Sequence, residues 1–449
     1  MRMKFNKSSQ LLLVSAASLL VAGLVTACGT LTVDFVFVSS AKAAGTNNAG
    51  EVDVLEINSE SGYMRHIPTS PFPSGGRNPV AEAVSSDNTN LYVVNQDDNS
   101  IVQFIIGNDG KLYPQNTVNT PGIYPLAITV NGSNLFVVDT YQPLPTCSTA
   151  APCSGSIAVY PIAASSSNPP SDTLGTPIAN GSVFYWPLCR TGYAATNATI
   201  CNPNGTGAAD IIEPTGINVL TNGATKVSYA YVAAYDATAN ANYIFGFSVA
   251  SGGALSPLNG GAPLAGGAFA QGTCSNAFLN APFELGTCPS VLASDAAGSY
   301  LYVTDATVGK VHAYAIASGA LTEVGGSPFP AGNQPSAIVV DPIYSYVYVT
   351  NAQDSTVSAY SASSGVLTNL GTYATGTEPV AVGIDPSTNH FLFTANYLYN
   401  GINGTVSGFE MNSTSGTLVN SQDSPYTIDA YPTAVAAIPH GVTQSSSQK

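Results

Sequence analysis

The sequence predicts an all-β fold: a seven-bladed β-propeller of four-stranded blades, its ring closed by pairing the C-terminal strand with N-terminal strands. Three observations carry this expectation. A short apolar strand led by proline recurs seven times along the chain. Each of the first six is followed by a polar turn and further strands of alternating, β-branched character. The seventh is followed only by a polar tail, while the other end of the chain holds strands that lack a leading one.

The leading strands begin at Pro79 ("PVAEAVSSD"), Pro125, Pro214, Pro289, Pro335, Pro379 and Pro432 ("PTAVAAIPH"), at spacings of 46, 89, 75, 46, 44 and 53 residues. Proline suits the first residue of a strand, where its missing N–H costs no ladder bond. Spacings near 40–50 residues are those of propeller blades. The third residue of each start is small or β-branched (Ala81, Ala127, Gly216, Val291, Ala337, Ala381, Ala434), as expected of innermost strands converging on a crowded hub. Second strands follow as "LYVVNQ", "LFVVDT", "YAYVAAY", "LYVTDA", "VYVTNA" and "FLFTAN", and third strands as in "SIVQFII", "KVHAYAI" and "TVSAYSA". At the N-terminal side, "LTVDFVFVSSA" (31–41), "GEVDVLEI" (50–57) and "YMRHIPT" (63–69) read as second, third and fourth strands. The orphan strand at Pro432 supplies the missing first, which removes the open sheet edges.

Residues 1–27 read as a lipoprotein signal peptide. Arg2, Lys4 and Lys7 precede the apolar run "LLLVSAASLLVAGLVTA", and "VTAC" places small residues before Cys28, the expected lipidation site. The expected location is the cell envelope, lipid-anchored on the extracytoplasmic side. The propeller then spans 28–440, with insertions at about 140–155, 183–213 and 262–288, and 441–449 form a disordered tail. Six further cysteines fall in close pairs, 6, 12 and 14 residues apart, which reads as disulfides Cys147–Cys153, Cys189–Cys201 and Cys274–Cys288 in an oxidising compartment. No CxxC spacing points to zinc. Charged residues make up only 8% and net charge is −15, which disfavours phosphate backbones as partners. No G-x-S-x-G elbow, P-loop or H-E-x-x-H is present. No cofactor or metal is expected, and the chain is expected to be a monomer. The Asn and Asp residues closing second strands (Asn95, Asp139, Asp305, Asn351, Asn396) are read as turn hydrogen-bonders rather than calcium ligands.

"YLYVTDA" and "YVYVTNA", each preceded by a P-x-A-[IV] type of strand, resemble the YVTN-repeat, lactonase-like seven-bladed propellers, a family that includes 6-phosphogluconolactonase-like and muconate-cyclising enzymes. The resemblance spans 31–440 and is closest over 289–410. It implies that binding occurs at the channel mouth, the face carrying the loops that precede first strands and those between second and third strands. Positions just before first strands are Asn78, Tyr124, Glu213, Cys288, Gln334, Glu378 and Tyr431. Lactonase-type members use His, Arg and Glu there. In this chain His66 and His312 fall within strands and His390 and His440 toward the opposite face, which leaves Arg77, Glu213 and Glu378 as catalytic candidates. The cysteine-bearing insertions also emerge on this face. Their aromatics (Tyr141, Trp186, Tyr193, Phe278, Phe283), with Tyr124, Arg190, Tyr235, Gln334 and Tyr431, suit a glycan or protein ligand. The reading of the residues is a membrane-anchored binding or scaffold module, with a lactonase-type hydrolase as the alternative.

Overall fold

The computed structural model describes residues 33–41, 49–58, 61–144, 147, 153–163, 173–190, 192–194, 197–201, 211–236, 241–266, 291–385, 391–397, 404–428 and 431–439. Its described strands form seven antiparallel sheets, with a separate two-stranded ribbon, Tyr193–Ala194 with Asn197–Cys201. In chain order the innermost strands are Pro79–Val84 (blade 2), Ile123–Asn131 (blade 3), Ile212–Thr221 (blade 4), Leu292–Ser294 (blade 5), Pro335–Val340 (blade 6) and Pro379–Ile384 (blade 7). Blade 1 is made from both ends: Tyr431–Ile438 lies inside Val33–Ala41, followed by Ala49–Asn58 and Met64–His66. Each innermost strand packs against the next, round to Tyr431–Ile438 against Pro79–Val84, so the ring is closed.

Several outer strands are split in a way the sequence reading missed. In blades 1, 5 and 7 a Ser–Pro pair interrupts the fourth strand, and the chain then rejoins the third strand as Phe72–Arg77, Phe329–Pro330 and Tyr426–Thr427. The serine Oγ fills the gap, accepting the third-strand N–H of Val54 (2.8 Å, Ser70), Ala313 (3.0 Å, Ser327) and Gly408 (3.0 Å, Ser424). Arg77 therefore ends a short strand.

The blades adhere through the flat faces of their second and third strands. Alternation in Val33–Ala41 sends Phe35 and Phe37 into an apolar cluster with Leu91, Val93, Val102 and Phe104 of blade 2. Val36 and Val38 enter another cluster with Phe391, Phe393 and Ala395 of blade 7. Each such side chain contributes roughly 1.5–3 kcal/mol when fully buried, so one strand glues two interfaces. At the outer rim the turn between third and fourth strands presses on the preceding blade. Gly319 (φ 85°) and Gly416 (φ 70°) sit there, and a Cβ would meet the rings of Tyr229 at 2.7 Å and Tyr346 at 2.4 Å. Their carbonyls accept the hydroxyls of Tyr231 and Tyr348, each at 3.0 Å.

Near the mouth, the register between first and second strands shifts just after the proline in blades 1, 2, 3, 4, 6 and 7. A bulge re-aims the extra residue, and the hydroxyls of two such residues, Ser336 and Thr433, bridge to the next blade. Ser336 donates to the carbonyl of Pro379, and the single Thr433 hydroxyl proton is shared between the carbonyls of Ser39 (2.9 Å) and Pro79 (2.8 Å). Thr433 thus fastens both the seam within blade 1 and its junction with blade 2. Beside it Ser39 donates to Glu82, whose carboxyl burial pushes up to about 7.

Thr433→Val keeps the shape and strips both bonds. The expected loss is about 1–3 kcal/mol for buried carbonyls deprived of a donor, read as a lower midpoint in chemical denaturation with unchanged slope. A midpoint equal to wild type would remove Thr433 from the closure.

Candidate active site at the channel mouth

One repeated turn builds the mouth. In blades 2, 3, 6 and 7 the residue before the leading proline has positive φ: Asn78 (54°), Tyr124 (56°), Gln334 (54°) and Glu378 (57°). A following proline disfavours the right-handed helical region, and the left-handed one costs a non-glycine residue about 1 kcal/mol or more. Hydrogen bonds hold each turn there. The carbonyls of Asn78, Gln334 and Glu378 accept the N–H groups of Gln96, Ala352 and Tyr397 at 2.9, 2.9 and 2.8 Å, and that of Tyr124 accepts the Thr140 hydroxyl at 2.7 Å. The outcome is four non-glycine side chains held, half-buried, at equivalent points of the rim.

Asn95, Asp139, Asp305, Asn351 and Asn396, which close second strands, are all buried, and those of blades 3 and 6 brace this turn from behind. Asp139 accepts the Gly122 N–H (3.1 Å) and Asn351 that of Gly332 (2.9 Å). Asn95 donates to the Ser74 carbonyl (3.2 Å), Asn396 to the Ser407 hydroxyl (3.0 Å), and Asp305 accepts the Thr307 N–H (3.0 Å). Burial also pushes the Asp139 carboxyl up to about 7.

The chemistry concentrates where blades 3 and 4 meet. Glu213 opens the first strand of blade 4 opposite Tyr235 and is only 4% exposed. Its Oε2 is buried without a hydrogen-bond partner, and burial raises its carboxyl to about 7. Tyr141, at the mouth end of the second strand of blade 3, is fully buried, and its hydroxyl also lacks a partner. Burial first, and then the Glu213 charge, push its phenol up, and the same two causes act on Tyr235. The Tyr124 ring stands edge-on to Tyr141 with centroids 6.4 Å apart. Beside them Arg190 pairs with the fully buried Asp236, Nη1 to Oδ2 3.2 Å. The arrangement is a carboxyl poised to exchange a proton near neutrality, ringed by phenols that stay protonated.

The other predicted residues are spread around the mouth. Glu378 is half-buried, its carboxyl raised by burial, and lies in the turn that holds the Tyr397 N–H. Tyr397 in turn has its ring 5.2 Å from that of Tyr431. Gln334 occupies the equivalent turn of blade 6. Arg77 is exposed and committed to its own turn: Nε donates to Asp98 (2.7 Å) and a terminal nitrogen to the Asp97 carbonyl (3.1 Å). Trp186, expected as a ligand aromatic, is 2% exposed and packs in the core between blades 3 and 4, because its strand returns to pair with Ile157. The backbone of Tyr193 belongs to the two-stranded ribbon described above. His66 and His312 are within strands, paired with Asp53 (3.0 Å) and Glu323 (3.0 Å). The sequence reading missed Asp236 and Tyr397. Tyr397 directly follows the repeated Asn396, which was the signal available, whereas Asp236 ends a second strand that has Ala234 at the repeated position and so carried no such mark.

Cys147–Cys153 is formed, with Cα atoms 5.6 Å apart. It braces an insertion whose Ser154 and Gly155 bond the backbone of Ile212, next to Glu213. Cys189 is likewise disulfide-bonded. The Cys201 side chain, Cys274, Phe278, Phe283 and Cys288 lie outside the described residues, as do Cys28, His390 and His440.

The fold and the mouth define a closed seven-bladed propeller with an acidic, tyrosine-rich rim. The chain belongs to the family of seven-bladed β-propeller lactonases, whose model matches residues 37–174 and 317–428, more than half of it. No curated protein matches it. Solved structures of like fold include a protein from Bacteroides fragilis assigned provisionally as a 6-phosphogluconolactonase (18% identical, TM-score 0.58, covering 91% of this chain and 99% of that one). Another so assigned comes from Bacteroides uniformis (16%, TM-score 0.60, 90% and 99%). A third is the periplasmic gluconolactonase of Pseudomonas aeruginosa (17%, TM-score 0.58, 90% and 99%). At these identities the likeness is one of fold.

Proposed function

We propose that the chain hydrolyses the ester bond of a lactone at the channel mouth, with Glu213 as general base. The observation that carries this is the buried, unpartnered Glu213 carboxyl held near neutrality beside Tyr141 and Tyr235. Family membership and the gluconolactonase-type neighbours support the same reaction class over the scaffold role expected first. Water attacks the lactone carbonyl as Glu213 takes its proton. A tyrosine hydroxyl donates to the oxyanion. Collapse breaks the acyl C–O bond, and the proton passes from Glu213 to the leaving ring oxygen, giving the open hydroxy acid. The exposed Leu144 and Phe184, in the blade 3 insertions, favour a second reading in which this face captures a glycan or a protein.

Glu213→Gln is expected to lower kcat by about 10²–10⁴ on a δ-lactone. Because the base must be ionised, wild-type kcat/KM should rise with pH through about 7, and the variant should lack that limb. A variant as active as wild type refutes the assignment. Wild-type protein that turns over no lactone yet binds a glycan array puts the second reading in its place.

We also propose that Cys28 carries the lipid anchor. Ala41 pairs with Tyr431 at the mouth, and Phe35 with Ile438 at the other end, so Val33 starts on the face away from the mouth. Val33 lies five residues after Cys28 in sequence, a distance of at most about 18 Å at about 3.6 Å each. Such a tether would hold the opposite face toward the bilayer and leave the mouth facing outward. Cys28→Ser should move the protein from the membrane to the soluble fraction after cell lysis. Unchanged membrane retention would rule the anchor out.

A further inference from the structure

We infer that the lactone taken at this mouth is uncharged, a polyhydroxylated sugar lactone without a phosphate, and that phosphorylated lactones are turned away. The inference rests on the lactonase reading above and narrows it.

The two arginines placed near the mouth are already engaged. Arg77 forms a clasp with Asp98, whose other oxygen accepts the Arg77 backbone N–H at 2.7 Å. The same clasp recurs in blade 6 without an arginine, where Asn333 offers its N–H (2.7 Å) and side-chain amide (2.9 Å) to Asp354. Arg77 therefore does a turn's work that asparagine does elsewhere. Arg190 compensates Asp236, which is 0% exposed. Drawing its guanidinium away to a ligand would take the paired cation from a buried carboxylate, which is unfavourable. Among the described residues the remaining cation at this end of the ring is Lys310. It is half-buried at the start of a third strand, outboard of the innermost pair. Lys42 lies outside the described residues.

The groups nearest the axis are of the opposite kind. Glu213 and Glu378 stand at rim positions directly before the leading prolines, and the unpartnered Tyr141 hydroxyl and Glu213 Oε2 lie at the blade 3–4 junction. A carboxyl oxygen needs a donor and a phenol needs an acceptor, and a sugar hydroxyl supplies both. A phosphate dianion supplies no donor to an ionised carboxylate and repels it. With net charge −15, the long-range field opposes an anionic substrate as well.

The test compares kcat/KM of the full mature protein for glucono-δ-lactone and for its 6-phosphate, at low and moderate salt. The uncharged lactone should be preferred by roughly a hundredfold, the size of a like-charge penalty. Salt should raise kcat/KM for the phosphate, since it screens repulsion, and leave the neutral substrate unchanged. Asp98→Asn should free Arg77 and narrow the preference. Equal or better turnover of the 6-phosphate, or a rate for it that falls with salt, overturns the inference while leaving the lactonase reading intact. Hydrolysis of neither lactone removes that reading, and the inference with it.

Discussion

The pairing of Val33–Ala41 with Tyr431–Ile438 is the interaction on which the rest depends. A propeller blade buries both faces against its neighbours, so a ring with one incomplete blade exposes two apolar faces and two strand edges at once. Here the register from Phe35↔Ile438 to Ala41↔Tyr431 joins residues nearly four hundred apart in sequence. The same strand feeds Phe35 and Phe37 to blade 2 and Val36 and Val38 to blade 7. Closure is therefore hydrophobic in magnitude, and hydrogen bonding through Thr433 sets its register. The mouth inherits its shape from that closure, because Tyr431 and the turn before Pro79 come from opposite ends of the chain.

Rigidity of the ring lets the rim hold costly conformations. Non-glycine residues in the left-handed region, several buried carboxyls with raised pKa and unpartnered polar atoms, those of Tyr141 and Glu213 among them, gather at the same end. None of these favours folding by itself. Each is held in place by bonds from second-strand ends and by the packed interface beneath. Local strain and unmet hydrogen bonds concentrate where a scaffold can hold a site ready for a ligand. The blade 3–4 junction carries most of this chemistry, and the insertion closed by Cys147–Cys153 buttresses it through Ile212.

Much of the fold was legible because its signals are local and repeated. Proline marks strand starts, alternation marks strands, and a leftover first strand at one end matches the missing one at the other. The split fourth strands were not read, although "SPFP" and "SPYT" recur, because a serine oxygen replacing a ladder carbonyl leaves no periodic trace. The site was legible by position rather than by role. Glu213 and Tyr124 were placed at the mouth from topology, whereas the burial that makes Glu213 basic and Trp186 part of the core depends on packing between blades. Nor could the commitment of Arg77 to Asp98, or of Arg190 to Asp236, be read, since those partners are 21 and 46 residues away.

The most direct measurement of the closure is thermal unfolding of two truncations, one ending at residue 440 and one at residue 430. The first removes only the polar tail and should melt cooperatively within a few degrees of the full chain. The second removes the inner strand of blade 1 and should lose the cooperative transition, with apolar faces of blades 1, 2 and 7 exposed to a hydrophobic dye. A chain ending at residue 430 that melts as the full protein does would contradict the closed ring, and with it the mouth built upon it.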